Sequence, residues 1–149
     1  MTVSILAAMR SPFAEADGVL AGWHPVDLSV EIADAAITRA GVTAASVDHV
    51  WVGCDEPVGA QGANLARAIV LAAGWPVTLG GTVVEAGPHS GVAALSAAAD
   101  AIEAGRVARA IVLGVSSASI VQPGAAALAR LYGRPWGDGQ AARFADDGG

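Results

Sequence analysis

The chain is poor in charge, basic residues, cysteine and aromatic rings. Of its 149 residues only 15% are charged, against about 25% in an average soluble domain. Eight Lys and Arg residues stand against fourteen Asp and Glu, for a net charge of −6. That balance supplies no basic face for a phosphate backbone and argues against nucleic-acid binding. Gly, Asp, Glu or Arg interrupts every apolar stretch, so none reaches membrane-spanning length. The opening "MTVSILAAMRSPF" lacks a basic leader and a long apolar region; it reads as a first β-strand rather than a signal peptide. The single cysteine, Cys54, excludes an internal disulfide and suits a reducing compartment, which places the protein in the cytoplasm. There is no G-x-G-x-x-G or G-x-x-x-x-G-K phosphate loop. Asp48, His49, His24 and Cys54 form no metal-type spacing, so no metal is expected.

What is abundant is Ala, Val, Leu and Gly. Hydrophobic residues make up 54% of the chain, above the usual 45–50% or so. A small domain has much surface for its volume and ordinarily needs more polar residues than this. Part of this surface is therefore expected to lie in an interface.

Apolar runs and helical periods alternate along the chain. "TVSILAAM" (2–9), "VDHVWVG" (47–53), "GGTVVEA" (80–86) and "ARAIVLGVSSAS" (108–119) read as four strands. Between them, 26–41, 64–74 and 90–105 read as helices stopped by Gly41, Gly74 and Gly105. Asp27 suits the N-cap or first turn of the first helix. The alternation predicts an α/β fold, βαβαβαβ, with a mostly parallel sheet covered by helices on both faces. The Ala-rich helix after residue 90 has little polar face and is expected to be buried within a larger assembly. Residues 1–123 form the domain; 124–149 read as a loop region or tail, with a short helix within "GAAALARLYG".

The segment "GTVVEAGPHSGVAAL" (80–94) turns from strand to helix at Gly87-Pro88-His89, a place where α/β enzymes often hold a nucleophile. The side chain there with acid–base chemistry is His89. It could act as a general base or touch an acyl thioester, although no acid or nucleophile partner is identifiable; the competing reading is a turn histidine satisfied by backbone. Ser90 reads as a helix-start residue rather than a nucleophile. Cys54 lies in "GCDEP", where Asp55 and Glu56 disfavour its thiolate, so it reads as an ordinary thiol near the surface or in an interface. Arg10 and Arg67 read as holders of strand or helix ends, and Trp23, Trp51, Trp75 and Trp136 as packing or interface residues.

Six ordered motifs resemble the N-terminal half of the thiolases, acetyl-CoA acetyltransferase and 3-ketoacyl-CoA thiolase. They are Ala8-Met9-Arg10-Ser11-Pro12-Phe13; Val47-Asp48-His49-Val50-Trp51-Val52-Gly53; Asn64-Leu65-Ala66-Arg67; the Thr82–Gly91 turn; the helix end Ile102–Gly105; and Gly114–Pro123. The resemblance implies a thiolase-like fold related to acyl-CoA acyltransferases of fatty-acid or polyketide-type metabolism. It also implies a cysteine at the strand-to-helix turn that takes the acyl group covalently. Counted back from Ser90-Gly91, that position is Pro88; counted forward from Thr82-Val83, it is Gly87. The motif's asparagine is Val84, and its later E-S-M-S reads Ser117-Ala118-Ser119-Ile120. The family's G-H-P histidine and C-x-G-G-G cysteine, which belong to its second half, have no counterpart here.

The resemblance therefore implies a non-catalytic subunit with no cofactor of its own and an acyl-CoA as the conceivable ligand. Its implied partner is a C-terminal thiolase half, a full thiolase-like subunit, or a second copy in a homodimer. Two alternatives stand beside it. One is an acyl-CoA C–C bond acyltransferase or lyase using non-cysteine chemistry near His89. The other is a fragment with no function of its own.

Overall fold

The computed structural model describes residues 2–128. Three strands, β1 (His49–Gly53), β2 (Gly80–Val84) and β3 (Ala110–Gly114), form one parallel sheet in the order β2-β1-β3. Among the described residues four α-helices accompany them, α1 (Pro25–Ala40), α2 (Leu65–Ala72), α3 (Ser90–Glu103) and a single turn, α4 (Ala125–Leu128), with short 3-10 turns at Ala44–Ser46 and Gly59–Gln61. The expected α/β layering is present.

Alternation along the strands divides the core. Val50, Val52 and Cys54 pack with Leu65, Ile69 and Val70 of α2 and with Val26 and Ala33 of α1 on one face. Trp51 points the other way, against Ala94, Ala98 and Ala101 of α3. A strand exposes successive side chains to opposite faces, so β1, buried from Val50 to Gly53, is the middle strand with both faces covered. Alanines on α3 let it approach the sheet closely. Its outer face leaves Val92 and Leu95 exposed.

Helix ends follow the punctuation. Pro25 occupies the first turn of α1 and His24 is the N-cap, its Nδ1 accepting from Val26 N–H at 3.3 Å. Asp27 takes the first-turn position, not the cap. Gly41, Gly74 and Gly105 adopt left-handed φ values of 67°, 65° and 69° where the helices stop.

One expected strand does not form. Residues 2–9 belong to no helix or strand and pair with none of the three strands. An apolar cavity of about 410 Å³, lined by Ile5, Leu6, Ile37, Leu95, Ile111 and Leu113, lies where that segment passes β3. Apolar content made 2–9 look like a strand, yet a strand also needs a backbone edge within hydrogen-bonding reach. The last strand is also shorter than expected, ending at Gly114; Val115–Ser119 continue as loop. Of the expected helix in 124–133, Ala125–Leu128 is helical, and the rest lies outside the described residues, as does Trp136. No helix among the described residues is long and apolar enough to cross a membrane.

Candidate functional site

The three strands are in level register: Gly53 pairs with Val84 on one side and Gly114 on the other. Their carboxyl ends therefore finish together, the position at which open parallel sheets bind ligands. Helix α3 begins directly above. A Cβ on Gly53 would overlap the Ser90 carbonyl, and one on Gly91 would meet the Gly114 Cα at 3.9 Å. Glycine at 53 lets the helix start sit on the end of β1, whereas at 91 a Cβ would make only ordinary contact. A cavity of about 540 Å³ opens there, with Arg10, Phe13, Asp55, Pro88, Ser90 and Ser117 among its lining.

The turn into α3 is closed on itself. Ser90 is buried; its hydroxyl accepts from Ala86 N–H at 2.9 Å and donates to Gly87 C=O at 2.6 Å. The Glu85 carboxylate accepts from Gly87 N–H at 2.9 Å. Pro88 has no N–H. His89 and Ser90 donate their N–H groups to Ala86 and Gly87 carbonyls at 3.2 and 3.1 Å. From Ala86 to Ser90, each backbone donor present has a local acceptor. A developing oxyanion here would have to displace one of these contacts.

His89 occupies the N-cap position of α3 with φ −97° and ψ 4°, makes no side-chain capping bond, and is exposed outside the cavity lining. Gly87 and Pro88 both line the cavity. Ser90 is the expected helix-start residue, its hydroxyl committed to the turn.

Cys54 differs from expectation. It is 1% exposed and lies in the core beneath α1 and α2, not near the surface. Burial pushes its thiol up, and the carboxylates of Asp55, Glu56 and Glu85 add to the rise; a hydrogen bond with the Glu56 backbone opposes it. The acidic neighbours act as their sequence position suggested, but desolvation is the larger cause.

The remaining motif residues hold the scaffold. The Asp48 carboxylate accepts from Ala108 N–H at 2.7 Å and Arg109 N–H at 3.0 Å, tying the entry of β1 to that of β3. Those N–H groups, Arg109 first, hold its carboxyl below the usual range. Asn64, left-handed at φ 59°, caps α2 by accepting from Arg67 N–H and donates to Gly81 C=O at 3.1 Å. Arg67 donates to Leu79 C=O at 2.8 Å. Together they fasten α2 to β2. Arg10 lies over the Phe13 ring at 5.2 Å and donates to Ser11 C=O. Trp75 is buried and donates to Asp34 at 3.0 Å, whereas Trp23 is exposed. The His49 ring lies tilted against Trp51, centroids 4.3 Å apart, and bonds Thr82 at 2.9 Å; burial pushes its imidazole down. Among the described residues no group of three or more His, Cys, Asp or Glu side chains is placed to hold a metal ion.

Two functional-site neighbours escaped sequence reasoning. Gln61, 1% exposed, donates to Glu56 C=O at 2.9 Å and accepts from Ser117 N–H at 2.7 Å. Glu56 accepts from Gly124 and Ala126 N–H groups at 2.6 and 2.8 Å. A polar residue inside an Ala- and Gly-rich loop is the one signal Gln61 offered.

A layered α/β unit with a cavity at the level carboxyl ends of its strands and a helix start in its wall belongs to the open parallel-sheet folds that bind ligands at that end. Residues 3–138 match the family model of the thiolase N-terminal domain, and the chain belongs to the thiolase family. It is 37% identical over 101 residues to a steroid 3-ketoacyl-CoA thiolase of Mycobacterium tuberculosis, covering 68% of this chain and 25% of the relative. It is 33% identical over 136 residues to the acetyl-CoA acetyltransferase of Escherichia coli, covering 91% and 34%. The crystal structure of the Bacillus anthracis acetyl-CoA acetyltransferase superposes with a TM-score of 0.71 at 35% identity, covering 77% of this chain and 29% of that one. A thiolase from Ascaris suum, solved in complex with coenzyme A, superposes with a TM-score of 0.66 at 28% identity, covering 69% and 27%. The chain thus spans a quarter to a third of the length of these curated relatives.

Proposed function

We propose that this chain is a non-catalytic, cytoplasmic member of the thiolase family. In this reading it supplies one wall of an acyl-CoA cavity to a complex with a second thiolase-type chain that carries the nucleophile. The observation that carries the reading is the turn at Glu85–Ser90. Gly87 and Pro88 stand where the family resemblance implies a cysteine, and neither bears a nucleophile. The Gly87 N–H is engaged by Glu85, and the Ser90 hydroxyl is engaged on both sides. Cys54 is buried with its thiol raised, the reverse of what nucleophilic catalysis requires.

The exposed apolar side chains Ile5, Leu6, Phe13, Val92 and Leu95 support a role in a complex. Size-exclusion chromatography with light scattering, on the chain alone and mixed with a complete thiolase, tests it. A stable stoichiometric complex is expected. A well-ordered monomer that ignores the added polypeptide contradicts the proposal.

A further inference from the structure

The cavity at the strand ends has one wall built differently from the others. Residues Val115–Ser119 line it and belong to neither a helix nor a strand. This segment continues through Gly124; it leaves β3 tied to β1, Val115 N–H donating to Gly53 C=O at 2.9 Å, and beyond that its polar ties to the rest of the molecule are few. Ser117 N–H is held by the Gln61 side chain, and Ser119 Oγ accepts from Asp17 N–H at 3.0 Å. At the far end the Glu56 carboxylate holds Gly124 and Ala126. Between these points Ile120 and Val121 donate only to Ser117 C=O, within the segment.

Gln61 and Glu56 are themselves joined, because the Gln61 amide donates to the Glu56 carbonyl. One short loop after β1 therefore grips both ends of the segment that follows β3. The grip at Gln61 is buried and fully paired, so its loss would strand both a carbonyl and an N–H. The grip at Glu56 is charge-assisted and partly exposed.

We propose that residues 115–126 form a strap whose first part, Val115–Ser119, walls the cavity, and that Gln61 is the residue positioning it, with Glu56 as the second anchor. The position of the strap then sets the cavity width and so which acyl groups it admits. This last step rests on the reading of the cavity as an acyl-CoA site; the strap itself does not. Gln61 touches no ligand in this account. It acts through Ser117.

Hydrogen exchange on the full chain tests the strap, comparing the native protein with Gln61→Met and Glu56→Gln. Gln61→Met keeps the side-chain volume but removes both bonds. Exchange of the 117–121 amides is expected to rise about tenfold or more, while β1, β2 and α2 keep their protection. Glu56→Gln, which spares the buried amide, is expected to accelerate the 124–126 amides several-fold. Unchanged exchange in the strap overturns the proposal. So does a uniform rise over the whole chain in Gln61→Met together with no local change in Glu56→Gln, because that pattern marks Gln61 as a packing residue alone.

A second readout addresses width. Titration with acetyl-CoA and a longer acyl-CoA is expected to shift the preference between them in Gln61→Met relative to the native chain. Equal weakening for both overturns the width claim. Failure of the native chain to bind either thioester contradicts the acyl-CoA reading and leaves the exchange test to decide the strap.

Discussion

Gly53 and Ser90 meet backbone to backbone: the space a Cβ on Gly53 would need is filled by the Ser90 carbonyl. This contact seats the start of α3 on the end of β1 and so sets one corner of the cavity. Gly53→Ala must displace the helix start, since backbone rather than a flexible side chain stands in the way. A loss of about 1–3 kcal/mol is expected. Urea unfolding with an unchanged slope and a lower midpoint checks it.

Asn64 should tolerate glycine better than alanine. Its φ of 59° is left-handed, and its side chain caps α2. Asn64→Ala loses the cap and the local side-chain bonding that lets asparagine sit in left-handed backbone, for a cost of about 1–2 kcal/mol. Asn64→Gly loses the cap but relieves the backbone, and should cost less. The order of the two midpoints in thermal or urea unfolding is the test; the reverse order contradicts the geometry.

Acid should erode the stability of the fold over two pH ranges. Burial lowers the His49 pKa in the folded state. Protonation is thus harder in the fold than in the unfolded chain, and the associated stability is lost as pH falls below about 6.5. Asp48 is also lowered, by the Arg109 and Ala108 N–H groups. Its contribution is present above about pH 4 and disappears as pH falls through the folded value. Asp48→Asn should flatten the lower step and leave the upper one. His49→Gln should do the opposite. Unfolding free energy measured from pH 8 to pH 3 resolves them.

Cys54 should react with a disulfide reagent only through opening of the fold. It is 1% exposed and its thiol is raised by burial and by three carboxylates. Native labelling at pH 8 should be slower than labelling in urea by about two orders of magnitude or more. Near-equal rates would mean that the α1–α2 side of the core is open.

Local signals were legible in the sequence where the physics is local. Gly41, Gly74 and Gly105 end helices because glycine alone enters left-handed φ without cost, so their positions could be read directly. β-Branched runs at 80–84 and 110–114 became strands because they face apolar layers on both sides. Residues 2–9 carry the same apolar content, yet pairing depends on a neighbouring edge that local composition does not encode. The site was half legible. The strand-to-helix turn at 87–90 was visible as punctuation. The Gln61–Ser117 and Glu56–Gly124 bonds span 56 and 68 residues, and no local pattern announces them. Cys54 was misplaced for a related reason: its acidic neighbours suggested a surface loop, while the chain turns the thiol inward and only the carboxylates outward.

Whether the chain itself takes an acyl group separates a silent subunit from an acylating one. Intact-mass spectrometry after incubation of the purified chain with acetyl-CoA addresses this without a partner. Unmodified protein is expected, with the same result after Cys54→Ser. An acetyl adduct that forms on the timescale of turnover and maps to Cys54, Ser90 or His89 would contradict the silent-subunit reading, and would make this chain an acyl carrier in its own right.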